Sequence, residues 1–153
     1  MIEVRHEQPD GPAAQALWAA YMELVGERLP GFTPSEEIFA TADAFDGPGA
    51  AWLVIYEDGE PVACGGLRPL PPDAGEIKRM FVAEAARGRG HARRLLAELE
   101  AIARDAGRRR IRLLTTSVLT EARALYEASG YVVVEEFTMY GPERTDYWLE
   151  KTL

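Results

Sequence analysis

Cysteine is nearly absent from this chain. Cys64 is the only one, so no internal disulfide can form and the sequence fits a reducing compartment. Histidine is almost as scarce: with His6 and His91 alone, no histidine and cysteine cluster can hold zinc, and no Ser-His-Asp arrangement can be defended. No metal is expected. Long apolar runs are missing too, since none approaches the ~20 residues of a membrane span. Residues 1–6 carry neither the basic nor the apolar stretch of a secretory leader. The expected location is cytoplasmic, with no membrane partner. Positive charge is also short, because 17 Lys and Arg against 25 Asp and Glu leave a net charge of −8. Nucleic-acid binders usually present net positive charge, so no such partner is expected, and an acidic chain suits a cationic small molecule better.

What is present is ordinary globular material. Hydrophobic residues make up 47% and charged residues 27%, which excludes a disordered or fibrous chain, and 153 residues suit one domain spanning 1–153. Cys64, without a basic partner nearby in sequence, reads as a buried structural thiol in a strand.

Alternation of apolar and charged residues over 2–7 predicts a short first strand, and Leu17, Trp18, Tyr21, Leu24 and Val25 recur at helical spacing after it. Thr33, Pro34 and Glu36 form a capping-box start for a second helix that ends near Asp46-Gly47. Residues 51–56 and 61–67 read as strands joined by an Asp58-Gly59 turn, and Pro69, Pro71 and Pro72 turn the next stretch into a loop. A strand over 76–82 precedes a helix from Gly90 whose stripe is Ala92, Leu95, Leu96, Leu99, Ile102, Ala103 and Ala106. Residues 110–116 read as a buried strand, parallel to 76–82 through a right-handed crossover. Thr120 caps a short helix stopped by Gly130, and strands over 131–137 and 146–151 complete the order β-α-α-β-β-β-α-β-α-β-β.

The run Lys78-Arg79-Met80-Phe81-Val82, then Arg87-Gly88-Arg89-Gly90-His91-Ala92, carries the functional signal. A strand ends, a basic glycine loop follows and a helix opens. The start of a helix holds unpaired N–H groups and about half a positive charge, so bare glycines there suit an anion, typically phosphate. A dinucleotide signature would need a third glycine where Arg93 stands, and no Gly-Lys-Ser or Gly-Lys-Thr exists for a P-loop. An arginine-rich RNA tract is disfavoured, because Arg87, Arg89 and Arg108-Arg109-Arg110 lie within a periodic region of an acidic protein.

These residues resemble the Gcn5-related N-acetyltransferase (GNAT) superfamily. Its cofactor motif is Gln or Arg, two residues, Gly, one residue, then Gly or Ala, and 87–92 fits every specified position. Glu76-Ile77-Lys78-Arg79-Met80 before it, Leu125-Tyr126 and Gly130-Tyr131 after it, and Tyr147-Trp148-Leu149 near the end match in order. The resemblance implies an α/β (α+β) GNAT fold: one mixed sheet of about six or seven strands, about four flanking helices, and splayed central parallel strands. It implies acetyl-CoA as donor, with CoA as product, and the pyrophosphate on Arg87, Gly88, Arg89, Gly90, His91 and Ala92. Pantetheine would follow the edge of Met80, Phe81 and Val82. An N–H of Phe81 or Val82 would polarise the acetyl carbonyl and stabilise the oxyanion. The family's polar residue before the tyrosine helix is missing, and Thr115 or Ser117 is expected to replace its pantetheine contact.

Tyr126 matches the tyrosine that faces the departing sulfur. With ordinary pKa values of ~10 for the phenol and ~8.5 for a thiol, full transfer is uphill by about 2 kcal/mol, so hydrogen bonding is as plausible as protonation. Glu76 is the candidate base for the incoming amine, on the strand face expected to carry Lys78, Met80 and Val82. Lys78 could instead pair with Glu76, and the proton could pass to water without a dedicated base. The expected reaction is direct acetyl transfer to a primary amine, more often of a small molecule than of a protein, with no acetyl-enzyme. The competing reading is a non-catalytic acyl-CoA-binding or sensing module. Phe32, Asp43, Asp46 and Tyr140 are candidates to line the amine pocket, and family habit suggests a possible homodimer.

Overall fold

The computed structural model describes residues 1–32, 39–138 and 144–153. The capping box at Thr33, Pro34 and Glu36 lies outside the described residues, as does Tyr140. Seven strands are present: β1 (Ile2–His6), β2 (Ala51–Glu57), β3 (Glu60–Leu70), β4 (Ala74–Val82), β5 (Arg110–Thr116), β6 (Val132–Phe137) and β7 (Asp146–Thr152). The described residues also form three α-helices, α1 (Pro12–Arg28), α2 (His91–Asp105) and α3 (Thr120–Ala128). Ala42–Phe45 and Glu84–Ala86 are short 3-10 turns. No helix among the described residues is long and apolar enough to cross a membrane.

The strands make one mixed sheet in the order β1-β2-β3-β4-β5-β7-β6. The first four form an antiparallel meander. Its Asp58-Gly59 turn has positive φ at both residues, 51° and 86°, as the two-residue hairpin predicted from that dipeptide requires. β3 runs through Pro69 to Leu70, beyond the loop boundary expected from the prolines. Its pairing with β2 stops at Leu67, so one edge of β3 is open there and a strand proline is tolerated.

β4 and β5 are the parallel pair, crossed over by α2. Their pairing runs only from Ala74 opposite Arg110 to Ile77 opposite Leu113. β5 then stays with β7 along its whole length, from Arg110 to Thr116, while β4 continues to Val82 alone on that side. The splay has a local cause in a bulge on β4, where Arg79 takes φ 57° and the register with β3 slips between Cys64 and Gly66. A bulge bends its strand and increases its twist. Gly65 makes room for it, since a Cβ there would lie 2.9 Å from Met80 Cγ.

The bulge also reverses the alternation. Ile77, Met80 and Val82 pack in one core with Leu95, Leu99 and Ile111, under α2. Phe81 packs on the opposite face with Leu17, Phe45 and Trp52, under α1. Glu76 and Lys78 therefore do not share a face with Met80 and Val82, and the expectation of simple period-2 alternation fails at the extra residue. The predicted α2 stripe holds for Leu95, Leu96, Leu99 and Ala103, all buried, and Ala106 falls outside it. Cys64 is buried in β3 with its thiol 3.7 Å from the Arg79 carbonyl, and burial pushes that thiol up to about 12.

Candidate active site

A groove of about 520 Å³ follows the unpaired side of β4 to the start of α2. Met80, Phe81 and Val82 form one wall, as expected of a strand edge that has lost its neighbour. Arg87, Gly88, Gly90, His91 and Ala92 form the floor at the helix start. Gly88 and Gly90 take φ of 78° and 83°, a conformation in which side chains are strained, and a Cβ at either would meet no protein atom. Gly90 is the N-cap of α2, offers no side-chain acceptor, and is followed by no carboxylate in the first turn. The first-turn residues His91, Ala92 and Arg93 line the groove, and neither a capping side chain nor a first-turn carboxylate competes for the N–H groups of that turn, which fits a pyrophosphate.

Arg89 is expected in this cradle and stands elsewhere. Its Nη1 donates to Glu57 Oε2 at 2.6 Å, and it is absent from the groove wall. Arg93, one turn into α2, lines the groove in its place. His91 is 2% exposed, with Nε2 3.4 Å from the same Glu57 oxygen, so its ring is part of the fold beneath the loop.

A second chamber of about 100 Å³ opens beside the groove, and Tyr21, Met80 and Tyr126 line both spaces. It sits in the gap between the diverging β4 and β5, walled by Lys78 and Arg79 from one and by Thr115 and Thr116 from the other. α1 contributes Arg28, and Arg144 and Asp146 enter from the start of β7. Tyr126 is buried in α3, edge-on to Tyr131 at 6.0 Å between ring centroids, and burial pushes its phenol well above the ordinary value. Tyr21 is likewise raised by burial, to about 12.

Glu76 is 2% exposed but lines neither space. Its Oε1 accepts from Arg68 Nε at 2.6 Å, and its Oε2 lies 3.7 Å from Lys78 Nζ. The candidate base is a buried ion-pair partner, and Lys78 is the group that reaches the chamber. Burial lowers the Lys78 pKa, an effect that Glu76 opposes. Thr115 lines the chamber rather than the groove, and Ser117 lines neither. Ser117 Oγ instead accepts from Thr145 N at 3.0 Å, knitting β5 to the approach of β7. The groove wall expected from those two residues is formed by Leu119, Glu121, Ala122 and Leu125 at the start of α3. Phe32 does line the chamber, whereas Asp43 and Asp46 are exposed and do not. Among the described residues, no group of three or more His, Cys, Asp and Glu is placed to hold a metal ion.

Sequence reasoning missed Arg28, Arg93 and Arg144. Arg93 was legible as the residue one turn into a helix that begins at an anion site. Arg28 and Arg144 carry no sequence signal, since α1 and the approach to β7 meet only through the fold.

Comparison with known proteins agrees with this architecture. The acetyltransferase (GNAT) family matches residues 14–131. The chain is 39% identical over 108 residues to an IAA acetyltransferase of Azospirillum brasilense, covering 69% of this chain and 70% of that protein. Among solved structures, an acyl-CoA N-acyltransferase from Klebsiella pneumoniae superposes with TM-score 0.76 at 28% identity, covering 100% of this chain and 98% of the other. A GNAT acetyltransferase from Elizabethkingia anophelis with acetyl-CoA bound superposes with TM-score 0.68 at 20% identity, covering 99% and 98% of the two chains. With the family match spanning most of the chain and the splayed sheet in place, the chain belongs to the acetyltransferase (GNAT) family and is an N-acetyltransferase.

Proposed function

We propose that this chain, as one domain over 1–153, moves the acetyl group of acetyl-CoA to a primary amine of a small molecule by direct attack. The observation that carries the reading is the meeting of two spaces at Met80 and Tyr126. The groove has an anion cradle at its far end, and the chamber is small enough for a compact acceptor. Acetyl-CoA supplies the activated acyl group. The residues of this chain do the rest: the N–H groups at the start of α2 hold the pyrophosphate, with Arg87 and Arg93 adding charge. The unpaired edge of Met80, Phe81 and Val82 takes the extended arm, and an N–H of Phe81 or Val82 polarises the carbonyl. Tyr126 donates a hydrogen bond to the departing sulfur, because a phenol raised by burial keeps its proton. Glu76 is not assigned the base role. Among the described residues no uncommitted carboxylate lines the chamber, so the amine proton leaves to water. A cytoplasmic setting suits the single buried thiol.

The test is thiol release from acetyl-CoA across a panel of amines, with the acetylated product identified by mass. Amine-dependent release with an N-acetyl product is expected. Tight acetyl-CoA binding without any amine-dependent release would favour the sensing module instead.

A further inference from the structure

The groove and the chamber share two tyrosines, and these reach the junction from opposite faces of the sheet. Tyr126 belongs to the core under α2, with Leu95, Leu99 and Met80. Tyr21 packs against the cluster of Leu17, Phe45 and Phe81 on the α1 side. They line the same two spaces because β4 and β5 part beyond Ile77 and Leu113, so the sheet no longer stands between its faces there. Their proximity has an electrostatic sign: Tyr21 adds to the rise of the Tyr126 pKa. Met80 from β4, with Leu119 and Ala122 at the start of α3, also lines both spaces.

Tyr21 is braced by its neighbours. Its ring meets Trp18 edge-on at 5.7 Å and 68°, Phe39 edge-on at 6.1 Å and 83°, and Phe81 at a tilt at 5.4 Å. Edge-on and offset pairs of this kind favour one mutual arrangement, so the ring cannot step aside without disturbing three others. Close-packed side chains yield poorly to an added methylene, because the neighbours must leave their preferred rotamers to admit it. Tyr21 is therefore a firm wall, and the phenol, pushed up to about 12 by burial, is an uncharged one at neutral pH.

We propose that Tyr21 sets the length of the acyl group that this chain accepts: its braced ring bounds the junction on the α1 side, leaving room for acetyl and turning away longer chains. This deepens the acetyltransferase reading and rests on it. In that reading Tyr126 faces the sulfur and the edge of β4 faces the carbonyl oxygen, so the third substituent of the trigonal carbon is left to the α1 side, where Tyr21 stands. The chamber beyond is only about 100 Å³ and has the incoming amine to hold as well. Tyr21 is a specificity residue acting through bulk, and its hydroxyl is not required for that role.

The experiment measures equilibrium binding of CoA, acetyl-CoA, propionyl-CoA and butyryl-CoA by calorimetry, a readout independent of turnover. Unaltered protein is expected to bind butyryl-CoA more weakly than acetyl-CoA by about tenfold or more, as overpacking at a firm wall implies. Tyr21→Phe keeps the ring and should keep that ratio. In Tyr21→Ala the ratio should fall towards one, while the affinity for CoA, which has no acyl group to place at the junction, stays within about twofold. The kcat/KM ratio of the same donors with one amine should move in parallel. Equal binding of acetyl- and butyryl-CoA by the unaltered protein overturns the proposal, as does an unchanged ratio in Tyr21→Ala or a lost one in Tyr21→Phe, and each leaves acetyl transfer intact. Should Tyr21→Ala lose CoA itself, its site has not folded, and Tyr21→Leu, which keeps an apolar side chain in the cluster, decides by the same ratio. Failure of the unaltered protein to bind any of the four compounds overturns the acetyltransferase reading and this proposal with it.

Discussion

Tyr126 shows how burial decides the role of a side chain. Its phenol is pushed up by desolvation first and by the proximity of Tyr21 second, so the neutral form persists above the ordinary range. The sign matters: a raised phenol is a weaker acid, which makes full protonation of a thiolate more uphill than the ordinary values imply, so the role proposed for it is hydrogen-bond donation. Tyr126→Phe keeps the ring and removes the donor. Loss of a hydrogen bond to a charged partner, about 1.5–3 kcal/mol, predicts a fall in kcat of about 10- to 100-fold with little change in KM for acetyl-CoA. Because the proton is retained as pH rises through the ordinary tyrosine value, kcat should show no falling limb from this group below about pH 10. Single-turnover rates from pH 6 to 10 check both points, and an alkaline limb that disappears in the Phe variant would show a phenol titrating normally.

At the scale of the element, the loop from Arg87 to the start of α2 does the work that no single side chain could. Gly90 caps α2 at φ 83°, where an alanine costs about 1–2 kcal/mol of left-handed strain. The chain can relieve that strain only by turning the first-turn N–H groups out of line. Gly90→Ala should therefore raise KM for acetyl-CoA by about 5- to 30-fold while the KM of the amine changes little, measured by varying each substrate in turn. Equal damage to both would place the fault in the fold rather than in the cradle. This loop was legible in the sequence because glycine at fixed spacing between a strand and a helix has a backbone meaning. So was the hairpin at Asp58-Gly59. The bulge at Arg79 was not, since nothing in arginine announces a positive φ, and without it the faces of Glu76 and Met80 come out wrong. The same gap explains Glu76: its position on the strand was readable, but its partner Arg68 comes from β3, and only the β3–β4 register brings the two together.

On the scale of the whole molecule, the sheet is continuous except where β4 and β5 part, and that gap is where both spaces lie. β4 is well anchored as far as Ile77, between β3 and β5 and under the leucines of α2. From Lys78 onward it has strand pairing on one side only. Local stability should therefore be lowest along the stretch that receives the ligand, and a ligand laid against that edge supplies the missing second neighbour. CoA at about 100 times its Kd should stabilise the fold by about 2.7 kcal/mol, seen as a rise in Tm. Amide hydrogen exchange locates the effect: slowing is expected at 78–82 and at 91–93, with β1 and β2 unchanged. Protection confined to the start of α2, with β4 exchanging as fast as before, would mean that the phosphates bind while the strand edge does not. The two parts of the groove separate cleanly in this measurement because, under the proposed reading, one would hold an anion through a helix start and the other an extended chain through backbone pairing.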